Sequence, residues 1–97
     1  MAKVACITTL QAAPGRRDEL LEVCRRYAKS MLAGEPGTLR MEFLLPFENS
    51  DGLVIWDVYE SVEAVDAHRN GERLKRFIEE TKGILVRISG VRHTFIE

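Results

Sequence analysis

Leu53 to Phe77, LVIWDVYESVEAVDAHRNGERLKRF, decides how the rest of the chain is read. Leu53 to Glu60 is dense in apolar and β-branched residues, the composition of a buried strand, and the pattern changes period at Ser61. Ser61 has the character of a helix N-cap, with Glu63 and Asp66 near the positive end of the helix dipole. Ala64, Val65 and His68 then fall at helical spacing, Asn70-Gly71 interrupts, and Leu74, Phe77 and Ile78 resume on one face up to Gly83. A strand thus runs straight into a broken helix. Asp57 and Tyr59 share one strand face and Trp56 takes the other, so at most one of these sets shares a pocket with His68.

Upstream, Leu39, Met41, Phe43, Leu45 and Phe47 alternate with Arg40, Glu42, Leu44 and Pro46, which predicts a long strand with five apolar side chains on one face. Glu48 to Gly52 has the composition of a hairpin loop leading into the strand at Leu53. From Arg16, the residues Leu20, Val23, Cys24, Tyr27, Met31 and Leu32 recur at spacings of three and four, so a first helix is expected, stopped by Gly34, Pro36 and Gly37. Val4 to Gln11 reads as the first strand, closed by Pro14-Gly15. At the other end, Ile84 to Ile96 alternates Ile84, Val86 and Ile88, then Val91, His93 and Phe95, which predicts a bulge at Gly90.

The order β-α-β-β-α-β suggests an α+β fold of ferredoxin-like type, an antiparallel four-stranded sheet with the helices on one face. Helices on one face leave the other bare, yet the second strand offers five apolar residues on one face and the third is apolar on both, so both sheet faces look buried. A homodimer through the sheet face is the simplest cover.

Ninety-seven residues at 45% hydrophobic content suit a single domain over residues 1–97. Fourteen basic against fifteen acidic residues, without a run of like charge, argue against a nucleic-acid partner. No apolar stretch approaches the roughly 20 residues that cross a bilayer, and the N-terminus lacks an apolar secretory core, so no membrane partner and a cytoplasmic location are expected. Cys6 and Cys24 lack CxxC spacing and read as buried, reduced thiols. Neither a Gly-rich phosphate loop nor a Ser-His-Asp order is present, and no His, Cys and carboxylate cluster has metal-ligand spacing.

Pro14-Gly15, Glu35-Pro36-Gly37-Thr38-Leu39, Trp56-Asp57-Val58-Tyr59-Glu60-Ser61 and the stretch Ala64 to His68 stand in an order and spacing that resemble the antibiotic biosynthesis monooxygenase family. The resemblance spans nearly the whole chain. It implies a dimeric α+β barrel with a pocket between sheet and helices in each subunit. It also implies, from the characterised quinol monooxygenases, oxidation of a small aromatic quinol or phenol by O₂ with no cofactor. Departures exist: Asn70-Gly71-Glu72-Arg73 stands where many members have a Thr-Pro-His-like turn. Thr8 replaces the first-strand asparagine of haem-degrading relatives, and no haem-ligating histidine occurs near Phe77 to Glu79, which argues against haem degradation.

His68, whose type titrates near pH 6.5, is the leading acid/base candidate, with Asp57 and Tyr59 beside it as catalytic candidates. The bland readings are a histidine bonded to a backbone carbonyl, an Asp57 ion-paired to Arg40 or Arg92, and a core tyrosine. Trp56, Arg40, Arg73 and Thr8 are candidates for binding the small aromatic or apolar substrate, although the parity of Trp56 suits a dimer core, and His93 reads as structural. An isomerase moving a proton on a small carbonyl compound with Asp57 and His68, and a non-catalytic ligand-binding dimer, are the alternatives.

Overall fold

The structure, a computed structural model, describes residues 2–96. Its elements are β1 (Val4–Ala12), α1 (Arg17–Gly34), β2 (Thr38–Leu44), β3 (Gly52–Tyr59), α2 (Val62–Arg69), α3 (Glu72–Glu80) and β4 (Leu85–Thr94). The strands form one antiparallel sheet in the order β2-β3-β1-β4, the ferredoxin-like arrangement, with the second helix divided into α2 and α3. The break falls at Asn70-Gly71, as the interrupted apolar period indicates.

Helix α1 forms because its stripe Leu20, Val23, Cys24, Tyr27, Ala28 and Met31 is buried against the sheet while its Arg, Glu and Lys residues stay outside. Gly15, at φ +75°, makes the left-handed turn that brings the chain from β1 into it. On the sheet, Cys6 and Leu10 of β1, Met41 of β2, and Leu53, Ile55 and Tyr59 of β3 meet that stripe, and Val65 and Phe77 close the core from α2 and α3. Gly37 packs so closely under α2 that a Cβ there would lie 2.6 Å from the Ala64 Cβ. Both cysteines are buried free thiols.

Two sequence expectations are corrected. Strand β2 ends at Leu44 and its register shifts between Thr38 and Arg40, so Leu39 is displaced from the inner face. Only Met41 and Phe43 of the five alternating residues pack on the core; Leu45 is half exposed and Phe47 fully so. Pro46, which has no N–H to give a ladder, stands just past this end. In β4, Gly90 stands in regular pairing opposite Thr8, and the irregularity falls earlier, where Gln11 pairs with Arg87 and Ala12 with Leu85, leaving Val86 unmatched.

The parity slip therefore sends Ile88, Gly90 and Arg92 toward the helix side and Val91 and His93 to the other. That outer face, carrying Ile7, Val54, Trp56 and Val91, is only partly covered within one chain. Among the described residues no helix is long and apolar enough to cross a membrane.

Candidate active site

Between the sheet and the three helices lies a cavity of about 200 Å³, with Asp57 and Tyr59 of β3, His68 of α2, Tyr27 of α1, and Cys6 and Thr8 of β1 among its lining. The half-exposed Ile88 and the exposed Arg69 also line it and mark its solvent side.

Asp57 and Tyr59 are two apart on a strand and so face the same way, toward the helices. The Tyr59 hydroxyl donates to Asp57 Oδ2 at 2.5 Å. Asp57 Oδ1 is buried without a hydrogen-bond partner. Burial is the main force on this carboxyl and pushes its pKa from 3.8 up to about 6, against the lowering pull of the Tyr59 hydrogen bond. The Tyr59 phenol is raised as well, by burial first and then by the Asp57 charge, so it remains a donor.

His68 is held by the start of its helix. Ser61 Oγ accepts from the Ala64 N–H at 3.1 Å, which fixes the first turn of α2 and carries His68 over the cavity. Its Nε2 lies 2.7 Å from the Tyr27 hydroxyl, and its ring stacks on Tyr59 with centroids 5.5 Å apart. Its Nδ1 lies 3.4 Å from Glu35 Oε1, outside good hydrogen-bond geometry, and is otherwise unpartnered. Burial lowers the imidazole pKa, with the Glu35 carboxylate pulling the other way, so the ring is neutral at pH 7. Burial also raises the Tyr27 phenol far out of the neutral range.

The structure therefore gathers Asp57, Tyr59, His68 and Thr8 around one cavity, and separates the other candidates from it. Trp56 and Arg40 lie on the opposite sheet face, where the Arg40 guanidinium sits 4.6 Å from the Trp56 ring centroid and pairs with Glu42. Arg73 stands outside the cavity, donating to Ser30 Oγ at 3.0 Å and lying 3.8 Å from Glu35 Oε2. Neither Arg40 nor Arg92 reaches Asp57, since Arg92 pairs with Asp66 at 3.0 Å. His93 is exposed on β4.

Two members of the cluster were not among the sequence candidates. Tyr27 merged into the apolar stripe of α1, and Glu35 into the Glu-Pro-Gly stop after it. A signal existed for Tyr27, a hydroxyl on a buried helix face that needs a partner. Among the described residues no group of three His, Cys, Asp or Glu side chains is placed to hold a metal ion.

No curated protein matches the sequence. Solved structures do match in fold. A Caulobacter crescentus protein provisionally named an antibiotic biosynthesis monooxygenase aligns with TM-score 0.91 at 18% identity, over 99% of this chain and 92% of its own. A Nitrosomonas europaea protein of the same provisional name gives 0.88 at 14% identity over 98% and 91%. A Pseudomonas aeruginosa protein gives 0.87 at 20% identity over 100% and 97%. At such identities the likeness speaks for the fold alone. The sequence itself carries the rest, because residues 3–80 match the model of one family and take in every side chain of the Asp57, His68 and Tyr27 cluster: the chain belongs to the antibiotic biosynthesis monooxygenase family.

Proposed function

We propose that this protein is a monooxygenase that oxidises a small aromatic quinol or phenol with O₂ and needs no cofactor, with Asp57 as the base. The observation that carries this reading is the unpartnered Oδ1 of Asp57, buried at the cavity wall on a carboxyl whose pKa of about 6 makes it a base at pH 7. His68 is less suited to take the substrate proton directly, because Nε2 already meets Tyr27. A cavity of about 200 Å³ suits a ligand of one or two rings, being smaller than the roughly 300–1,000 Å³ that drug-sized ligands fill.

In this mechanism Asp57 takes a hydroxyl proton, and the phenolate, electron-rich at the ring carbon para or ortho to it, passes one electron to O₂. Radical and superoxide combine at that carbon as a peroxide, which recovers the proton from Asp57. Loss of the carbon-bound hydrogen as a proton, with cleavage of the O–O bond, leaves a carbonyl and expels hydroxide, which takes that proton to become water. One oxygen atom enters the product and one leaves as water, so the substrate is the reductant. Tyr59 keeps Asp57 oriented, and the apolar walls exclude solvent from the anion.

The working unit is proposed to be a cytoplasmic homodimer joined through the sheet face that carries Ile7, Val54, Trp56 and Val91. The partial exposure of this apolar set in one chain supports a two-fold, self-complementary contact. In that arrangement Trp56 and Arg40 serve the interface.

The test is oxygen uptake with a panel of quinols and phenols, using Asp57→Asn as control. Uptake matched to quinone formation and lost in the variant is the expected result. No uptake above background across the panel would sink the oxidative reading. Asp57-dependent conversion of a carbonyl compound without O₂ would replace it by isomerisation.

A further inference from the structure

Polar side chains above the cavity form a chain leading outward: Tyr27 Oη, His68 Nε2, His68 Nδ1, Glu35 Oε1, and then Arg73 on Glu35 Oε2, with separations of 2.7, 3.4 and 3.8 Å. Arg73 crosses over Gly34 so closely that a Cβ there would sit 2.0 Å from the guanidinium. Arg73 is also tied to Ser30. Glu35 itself, on the turn after α1, is largely buried, with 19% of its side chain exposed. A buried neutral imidazole has one proton for two nitrogens, and its neighbours decide where that proton sits. Tyr27 does not decide, since a hydroxyl can give or receive. A carboxylate can only receive.

We infer that Glu35 is a positioning residue: it holds the His68 proton on Nδ1, so that Nε2 must accept from Tyr27 and the Tyr27 hydroxyl proton is turned away from the cavity. Tyr27 then offers the cavity an oxygen lone pair. With the opposite tautomer, Nε2–H would donate to Tyr27 and the phenol proton would be free to point at a ligand. Glu35, without touching the cavity, thus sets the polarity of a group that does. Two residues of the cavity lining then carry oxygens able to accept, Asp57 at Oδ1 and Tyr27 at Oη, while the Tyr59 hydroxyl is spent on Asp57. Such a lining favours a ligand with two hydroxyl donors over one with an ether in place of either. That last step rests on the monooxygenase reading; the tautomer does not.

The experiment is nitrogen-15 NMR of the imidazole rings at pH 8 on the whole chain, with the exposed His93 removed by His93→Gln to assign His68. The expected wild-type result is the Nδ1–H tautomer in at least roughly tenfold excess, a bias that the charge of a carboxylate 3.4 Å from that nitrogen supports in a buried site. Tyr27→Phe should keep that excess, whereas Glu35→Leu should reduce it by about tenfold or more. A wild-type ring found mainly as Nε2–H overturns the inference without any variant. Loss of the excess in Tyr27→Phe, or its survival in a folded Glu35→Leu, overturns it too. Since none of these readings involves turnover, a protein inactive on every quinol would still decide the question.

Discussion

Asp57 Oδ2 receives the Tyr59 hydroxyl at 2.5 Å while Oδ1 of the same carboxyl has no hydrogen-bond partner among the described residues. One oxygen is fixed by a neighbouring side chain and the other is buried without a partner. The arrangement costs stability, because a charge is held out of water with half its hydrogen-bonding capacity unused.

Asp57→Asn should therefore separate stability from activity. The unfolded chain ionises this carboxyl near 3.8 and the native protein near 6, so between those values the native state holds more protons and stability falls as pH rises. Above about pH 6 the full penalty is present, on the order of 3 kcal/mol. The asparagine carries no such charge, and denaturant melts should find the variant more stable than wild type by about 1–2 kcal/mol at pH 8, after allowance for an imperfectly bonded amide. That advantage should shrink toward pH 4, and oxygen uptake should fall by at least about 100-fold. A variant less stable than wild type at pH 8 would contradict the account of this carboxyl.

Tyr59→Phe removes the hydrogen bond that restrains the Asp57 pKa. In wild type kcat/KM should rise with pH through about 6 as Asp57 ionises. In the variant this limb should move to higher pH. A pH–rate series on both proteins measures it, and an unmoved limb would mean that another group is being titrated.

Gly37→Ala places a methyl against Ala64 and must lift α2 or bend the turn after α1. Destabilisation of roughly 1–3 kcal/mol is expected from the overpacking. Ala64→Gly should recover part of it in the double variant, and additive effects in such a cycle would refute direct contact.

Val91→Lys puts a charge on the outer sheet face at a position that is 56% exposed in one chain. The isolated fold should tolerate it, and light scattering at micromolar concentration should show one chain per particle where wild type shows two. A monomeric wild type would remove the sheet-to-sheet dimer from the proposal.

The topology was legible because each element carries its own period. Leu20 through Met31 mark a helix whatever surrounds them, and Asp57 and Tyr59 share a face by parity alone. What the hydrophobic alternation did not carry was the end of β2. Alternation continues through Leu45 and Phe47, but Pro46 between them has no donor to give, and the hydrophobic count cannot register that.

The site divided along the same line. Parity separated Trp56 from Asp57, but which face met the helices depended on packing between elements distant in sequence. Tyr27 and Glu35 were missed because their roles lie in one approach each, to His68, across 41 and 33 residues of chain. No local pattern encodes such a distance.

The interruption at Asn70-Gly71 leaves the layer over the cavity in two pieces, α2 of 8 residues and α3 of 9. Helices shorter than about 12 residues do not persist in water by themselves. Each piece is helical only while it is packed on the sheet, so lifting it and melting it are one event. The layer therefore cannot part from the sheet and stay folded, and amide hydrogen exchange along residues 62–80 would report how often it does part.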